Sequence, residues 1–383
     1  MGLTNFLVLK YKLDIMSYLL IFMCFLIAFA LSSMFIPRIL LVAYRKRLFD
    51  IPDERKVHEK EVPRLGGISF LPSILFSLCF ITGIRYQLGY PIPAGTLNFL
   101  IPEFYLLICG LILLYLVGIK DDLVGVYSRS KLMVQIAAAC LLPLSGLWIN
   151  NLYGLLGIHE LTPWVGIPLT ILGIVFIVNA INLIDGIDGL ASGLSSIPLV
   201  VFSFLFFSND FWTYSMLAFA TLGVLVPFFY YNVFGNAEHC RKIFMGDTGS
   251  LTLGFLLAFL AIRYAVYRPL EYPSSECALM IAVSTLIIPL FDVFRVIFLR
   301  FRTRRPIFEA DKNHIHHKLL AIGFTPRQVL LCTLLAGYVF CGVNIALSSY
   351  VNCNLLLLGD ILIYTMVNLW LDWIRSKKKE LNR

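Results

Sequence analysis

The sequence predicts an all-α integral membrane protein that crosses the bilayer about eleven times, with its N-terminus outside and its C-terminus in the cytoplasm. Three observations predict it. Of 383 residues, 59% are hydrophobic and only 14% are charged, where soluble domains carry about 25% charged residues. The apolar residues fall into runs of about 18 or more. The Lys and Arg residues collect on alternate loops between those runs.

Taken in order, the first run, 17–43, is too long for a cleaved signal peptide and no small-residue cleavage site follows it. Run 68–84 begins just after Gly66-Gly67. Run 100–118 leads into Asp121 and Asp122, and 132–149 returns from them. Run 163–183 ends at Asn179 and Asn182, and 190–207 is short and opens among Gly and Ser. Runs 211–231 and 250–267 flank Asp247. Run 276–299 holds Asp292 and Arg295 at a spacing of one helical turn. Runs 328–348 and 353–374 close the chain before a basic tail. Helices are expected because backbone groups in lipid must satisfy one another. Strand alternation is absent, which excludes a β-barrel. The nine cysteines lie mostly within apolar runs with no C-x-x-C pair, so they read as small buried hydrophobes. With no internal repeat and no appended soluble segment, residues 1–383 read as one polytopic domain.

With the N-terminus outside, the cytoplasmic segments are 44–67, 119–131, 184–189, 232–249, 300–327 and the tail after 374. They carry most of the chain's 31 Lys and Arg residues, as the positive-inside rule requires. Lys10 and Lys12 run against it and are outnumbered by Arg45, Lys46, Arg47 and the rest of the next loop. The basic charge faces headgroups. It forms no separate basic domain, which argues against nucleic acid as a partner.

The same loops hold nearly every unusual polar cluster: "FDIPDERKVHEKEVPRLGG" (49–67) with Lys56, His58 and Arg64; "GIKDDLVGV" (118–126); "NAINLIDGIDGLASG" (179–193); "FMGDTGSLTLGF" (244–255); and "RTRRPIFEADKNHIHHKL" (302–319) with Arg304, His314, His316 and His317. Most have an ordinary structural reading. Asp121 and Asp122 suit a helix cap, the basic stretches suit orientation, the histidines suit a solvated loop, and Asp292 with Arg295 suits an ion pair facing the bundle. The stretch 179–193 resists. A carboxylate at bilayer depth costs about 2.5–3.5 kcal/mol. Asp185 and Asp188 would share a helical face, and Gly186 and Gly189 invite a break lining a wet cavity.

If these loops converge, Asp121, Asp122, Asp185, Asp188 and Asp247 repel one another unless something positive sits among them. A hard cation suits oxygen ligands, and magnesium takes one or two carboxylates and completes its shell with water and phosphate. Surrounding Lys, Arg and His suit further phosphate charge. Gly246, Gly249 and the first amides of the following helix suit an anion nest. A phosphorylated donor at the inner face, with a lipid as second substrate, fits this composition.

The four motifs from "GIKDD" to "HIHH", in that order and on one face, resemble the polyprenyl-phosphate N-acetylhexosamine-1-phosphate transferases, glycosyltransferase family 4, over about residues 49–319. The resemblance implies transfer of N-acetylhexosamine-1-phosphate from a UDP-sugar to undecaprenyl phosphate. UMP is released, in the first membrane step of O-antigen, capsule or teichoic acid linkage synthesis. It also implies magnesium, with manganese as an alternative, and residence in the bacterial inner membrane with the active site on the cytoplasmic face. Asp247 resembles the family's metal-binding aspartate. Asp121 resembles a residue proposed to deprotonate the lipid phosphate. That phosphate has a second pKa near 6 and is already mostly dianionic, so orientation of phosphate or metal binding remains open for Asp121, with Asp122 beside it. Asn182, Asp185, Asp188 and Asp122 resemble residues of the nucleotide and diphosphate pocket. Phe244 resembles an aromatic that stacks on uracil, and Lys56 a phosphate-proximal lysine. His314, His316 and His317 resemble a motif that contacts diphosphate or sugar, with Arg304 beside it. The muramoyl-pentapeptide branch carries a lysine three residues past its aspartate pair, where this chain has Gly125, and three consecutive histidines, where Ile315 interrupts here. The pentapeptide substrate is therefore disfavoured; the resemblance makes N-acetylglucosamine the default sugar and leaves modified hexosamines such as N-acetylfucosamine or N-acetylquinovosamine open. A UbiA-like membrane prenyltransferase is the main alternative, since N-x-x-D-x-x-D from Asn182 resembles its diphosphate motif. A transporter is the second. A homodimer is compatible with all of these.

Overall fold

The computed structural model describes residues 3–49, 62–90, 92, 94–266, 277–304 and 314–381. Lys56, the expected phosphate-proximal lysine, lies outside them, as does His58 of the same loop. The elements in order are α1 (Leu3–Lys46), a 3-10 turn (Gly66–Ser69) leading into α2 (Phe70–Gln87), α3 (Ala94–Val124), α4 (Ser128–Leu144), β1 (Asn151–Leu155), β2 (Ile158–Glu160), α5 (Pro163–Ile184), α6 (Leu190–Ser208), α7 (Trp212–Phe229) with a π turn (Tyr230–Phe234), α8 (Gly246–Ala265), α9 (Ala278–Thr285), α10 (Ile287–Thr303), α11 (Ile315–Ile322), α12 (Pro326–Leu347) and α13 (Cys353–Leu381). The protein is all-α. Among the described residues nine helices are long and apolar enough to cross a membrane, ten counting α9 and α10 together. The remaining expected span, 132–149, corresponds to α4. That helix has only 17 residues, the lower limit for a span, and ends in a turn at Ser145-Gly146.

The axis of the bundle is α8. Of its most apolar stretch 94% is buried against protein, compared with 28% for α13. Small residues let neighbours approach it closely, the usual packing device where lipid is as apolar as a side chain. A Cβ on Gly118 of α3 would lie 2.4 Å from Thr248 Cα. On its other side α8 packs against α5, where a Cβ on Gly254 would lie 2.8 Å from Val178 Cα.

Two features depart from the expected plan. The run expected as one helix over 276–299 is broken at Leu286, where α9 and α10 meet at 79°. Pro289 has no amide to offer the Thr285 carbonyl one turn back, and the hydroxyls of Ser284 and Thr285 bond instead to Met280 O (2.6 Å) and Ala282 O (2.8 Å). The loop 150–162 forms a short antiparallel hairpin, with Asn151 opposite Glu160 and Leu155 opposite Ile158. Tyr153 of that hairpin donates its hydroxyl to Ala265 O, 2.8 Å away at the C-terminal end of α8. The hairpin therefore marks the end of the bundle opposite Asp247.

Candidate functional site

The ends of α3, α4, α5, α6, α7 and α8 gather around the N-terminus of α8. The turn after α3 folds α4 back so that Lys131, one turn into α4, points at the end of α3. Its ammonium donates to Asp121 Oδ2 and to Asp247 Oδ1, both at 2.8 Å. Asp121 Oδ1 accepts the Val126 amide at 2.7 Å and so closes the turn that brings Lys131 round. Asn182, on the last turn of α5, donates its amide to Asp247 Oδ1 and to Ser250 Oγ, the latter at 2.8 Å. One turn back, Asn179 bonds Gln135 Oε1 at 2.7 Å and joins α5 to α4. The side chains of Asp121, Lys131 and Asp247 remain 12–23% exposed, so the cluster is only partly buried.

Asp122 is placed differently from its neighbour. Its Oδ1 accepts the Asp247 amide at 2.7 Å, and its Oδ2 accepts the Thr248 amide at 2.9 Å and the Thr248 hydroxyl at 2.6 Å. It caps α8 from another helix, and the carboxylate complements the positive end of the helix dipole. The anion nest expected at Gly246–Gly249 is thus occupied by the chain's own carboxylate. Gly246 is held at φ +74°, and a Cβ there would meet Arg64 O at 2.2 Å, so the cap closes only around glycine.

The shared helical face expected for Asp185 and Asp188 does not form, because α5 ends at Ile184 and α6 starts at Leu190. The expected break does form. It is held by Asn232 from the π turn, which accepts the Gly189 amide at 2.6 Å and donates to Ile243 O at 2.8 Å. Asp188 pairs with Lys242. No hydrogen bond or ion pair to Asp185 is present among the described residues. Burial, reinforced by Asp247, pushes its carboxyl up to about 7, with Arg64 opposing. The histidine motif covers this break: His316 Nε2 would lie 2.7 Å from a Cβ on Gly186. His316 is 1% exposed, its Nδ1 has no partner among the described residues, and burial pushes its pKa down to about 3. The His317 ring meets it tilted at 44°, with ring centroids 4.2 Å apart. His314 Nδ1 lies 2.8 Å from Asp292 Oδ2. Asp292 also meets Arg295 at 3.2 Å, so the expected ion pair has a second task.

Phe244 lies beside the α8 cap. Its amide donates to Pro63 O at 2.8 Å and its carbonyl accepts from Gly66 at 2.9 Å. Arg304 is exposed in a left-handed conformation at the end of α10, and among the described residues no hydrogen bond or ion pair joins it to the other site residues. Lys131, Asn232 and Lys242 were not singled out from the sequence. Three positions past the aspartate pair, where the muramoyl branch carries a lysine, this chain has Gly125. The structure instead brings Lys131 back through the turn, and its position at the head of an apolar run was the signal available.

Among the described residues no group of three His, Cys, Asp and Glu side chains is arranged to hold a metal. Asp121 and Asp247 do converge on one point, the locus of the Lys131 ammonium. Two carboxylates sharing a positive locus fit magnesium, which needs few protein ligands when water and phosphate complete its shell. Asp122 fits less well as a third ligand, since both of its oxygens are committed to the cap.

The model of the family described as glycosyl transferase family 4 matches residues 104–265, from within α3 to the end of α8. A probable undecaprenyl-phosphate N-acetylglucosaminyl 1-phosphate transferase of Bacillus subtilis (strain 168) is 31% identical over 331 residues, 86% of this chain and 85% of the relative. An undecaprenyl-phosphate alpha-N-acetylglucosaminyl 1-phosphate transferase of Salmonella typhi is 28% identical over 83% of this chain and 81% of its own length. Its counterpart in Escherichia coli (strain K12) is 27% identical over 79% and 77%.

Proposed function

The chain belongs to glycosyl transferase family 4, and on that premise we propose that it transfers N-acetylglucosamine-1-phosphate from UDP-N-acetylglucosamine to undecaprenyl phosphate. An oxygen of the acceptor phosphate bonds to the sugar-bearing phosphorus of the donor. The bond from that phosphorus to the UMP oxygen breaks, and UMP leaves with the electron pair. One anhydride replaces another, so positioning and charge neutralisation supply most of the rate.

The observation that carries this reading is the convergence of Asp121 and Asp247, 126 positions apart in sequence, on the single ammonium of Lys131. A divalent cation held by these two carboxylates in place of the ammonium would supply charge neutralisation for the phosphates. Lys131, moved aside from that point, would add a second positive charge beside the phosphates. Asn182 holds the Asp247 carboxylate in one orientation. Asp122 supports the site from behind by fixing the first turn of α8. The neutral imidazole of His316, whose Nδ1 has no partner among the described residues, would offer the donor a hydrogen bond once donor binding uncovers the ring. The five loops of this end carry most of the basic residues, which supports an active site on the cytoplasmic face of the bacterial membrane.

The test supplies UDP-N-acetylglucosamine labelled in the sugar to purified protein. Label should enter the organic phase only when undecaprenyl phosphate is present, with one UMP released per sugar. Chelation should stop both and magnesium should restore both. Label transfer without UMP release would defeat the reading.

A further inference from the structure

An eight-residue helix is marginal by itself, so the pose of α11, which carries the histidines, is set by whatever pins it. Three pins are visible. At its start, Asp292 Oδ1 accepts the Ile315 amide at 2.9 Å while Oδ2 meets His314. At its middle, Lys318 is 2% exposed, and its ammonium donates to Asp372 Oδ2 at 2.8 Å and Asn368 Oδ1 at 3.3 Å. At its end, Lys378 donates to Ile322 O at 2.7 Å. The last two pins come from α13.

The polar residues of α13 form a stripe. Asp360, Tyr364, Asn368 and Asp372 recur every fourth position, one face of a helix. Asp360 accepts from Asn344 of α12 at 2.7 Å, and the Tyr364 hydroxyl lies 3.4 Å from Asp292 Oδ1. Elsewhere on the helix, Met366, Leu369, Trp370 and Trp373 are more than half exposed, as lipid-facing side chains are. A helix in lipid gains little from apolar contact alone, and polar pairs define its rotation.

We propose that α13 is a positioning strut for the histidine motif, and that Lys318 and Asp372 are positioning residues that hold His316 over the break at Gly186. Asp372 is half exposed while Lys318 is buried. Removing Asp372 leaves a buried ammonium with only Asn368, and buried charges do not tolerate the loss of a partner. Lys318 then seeks water and carries α11 with it.

The test uses the full chain in lipid nanodiscs, with diethyl pyrocarbonate modification of each histidine followed by mass spectrometry. His316 is protected in the wild type, and the exposed His159 and His239 serve as internal controls. Asp372→Asn and Lys318→Met should each speed modification of His316 by about fivefold or more. The double variant should add little, since both act on one contact. Asp372→Glu should restore protection, and the controls should not change. The consequence for catalysis rests on the donor role proposed above: KM for UDP-N-acetylglucosamine should rise by a similar factor with kcat within about twofold. Unchanged protection of His316 in Asp372→Asn overturns the proposal. So does a rise that Asp372→Glu fails to reverse. A wild type without transfer activity would defeat the function reading and leave the footprint as a valid test of the strut. If Lys318→Met fails to fold, the Asp372→Asn and Asp372→Glu pair decides the same question.

Discussion

Asp122 and Asp247 are neighbours in space with different tasks, and substitutions separate them. Asp247→Asn keeps an acceptor for Lys131 and Asn182 but loses the charge, so turnover should fall at least about a hundredfold with Tm unchanged. Asp122→Ala removes an acceptor of three hydrogen bonds at the first turn of α8. It should lower Tm by several degrees, since a lost cap costs about 1 kcal/mol and an unsatisfied buried amide adds to it. Detergent-solubilised protein followed by intrinsic fluorescence on heating checks both. Lys131→Met leaves Asp121 and Asp247 facing each other with no cation between them. Activity should fall by a factor of about a hundred, and the rise in Tm on adding magnesium should be larger than in the wild type. Asp185 gives a pH-dependent case. Its carboxyl is raised in the folded state, to about 7, so the folded state holds its proton more tightly than the unfolded chain does. That contribution is fully present below the unfolded value near 4 and is lost as pH rises through 7. Asp185→Asn should therefore raise Tm more at about pH 8 than at about pH 5, while donor binding weakens. The acidic members of the site were legible in the sequence because a carboxylate in an apolar chain is conspicuous. Lys131 was not, because a lysine at the start of an apolar run also serves orientation. Only the turn closed by Asp121 and Val126 shows where its ammonium goes.

At the scale of elements, the site depends on how closely α3 approaches α8. A Cβ at Gly118 would lie 2.4 Å from Thr248 Cα and 2.7 Å from its amide nitrogen, and backbone cannot yield as a side-chain tip can. Gly118→Ala should force the helices apart and lengthen the reach from Asp122 to its α8 amides. Activity should fall well before the bundle unfolds, and Gly118→Leu should prevent folded expression altogether. Size-exclusion profiles read alongside transfer rates distinguish these outcomes. Helix positions were legible because each span is a long apolar run bounded by polar loops, and lipid leaves the backbone no alternative to helix. The break at Leu286 was not, although Pro289 sat in view. A proline near a helix start is harmless, and only the structure shows that α10 begins at Ile287. The break between α5 and α6 was legible from Gly186 and Gly189. Its consequence was not, because the side chains expected to share a helical face are instead placed by a turn.

At the scale of the whole molecule, the two ends of the bundle differ in kind. One end gathers the acidic centre, the histidine helix and the break. The other carries the hairpin, tied to α8 through Tyr153 and to α13 through Asn354, which accepts from Leu156 at 2.7 Å and donates to Gly154 O at 2.9 Å. A donor carrying a nucleotide diphosphate does not cross a bilayer, so the acidic end must face the compartment that holds it. The proposed orientation, drawn from the distribution of Lys and Arg, puts that end in the cytoplasm. Cys240, exposed in the segment between the π turn and α8, reports on the site end, and Glu160 on the hairpin reports on the other. In a chain whose other cysteines are replaced by serine or alanine, a membrane-impermeant maleimide should leave Cys240 unlabelled in intact cells and label it in inverted vesicles. Glu160→Cys in the same background, with Cys240 also replaced, should show the reverse. Cys240 labelled from outside intact cells would place the carboxylates away from their donor. The proposed transfer would then fail for a reason of topology, whatever the geometry of Asp121, Lys131 and Asp247.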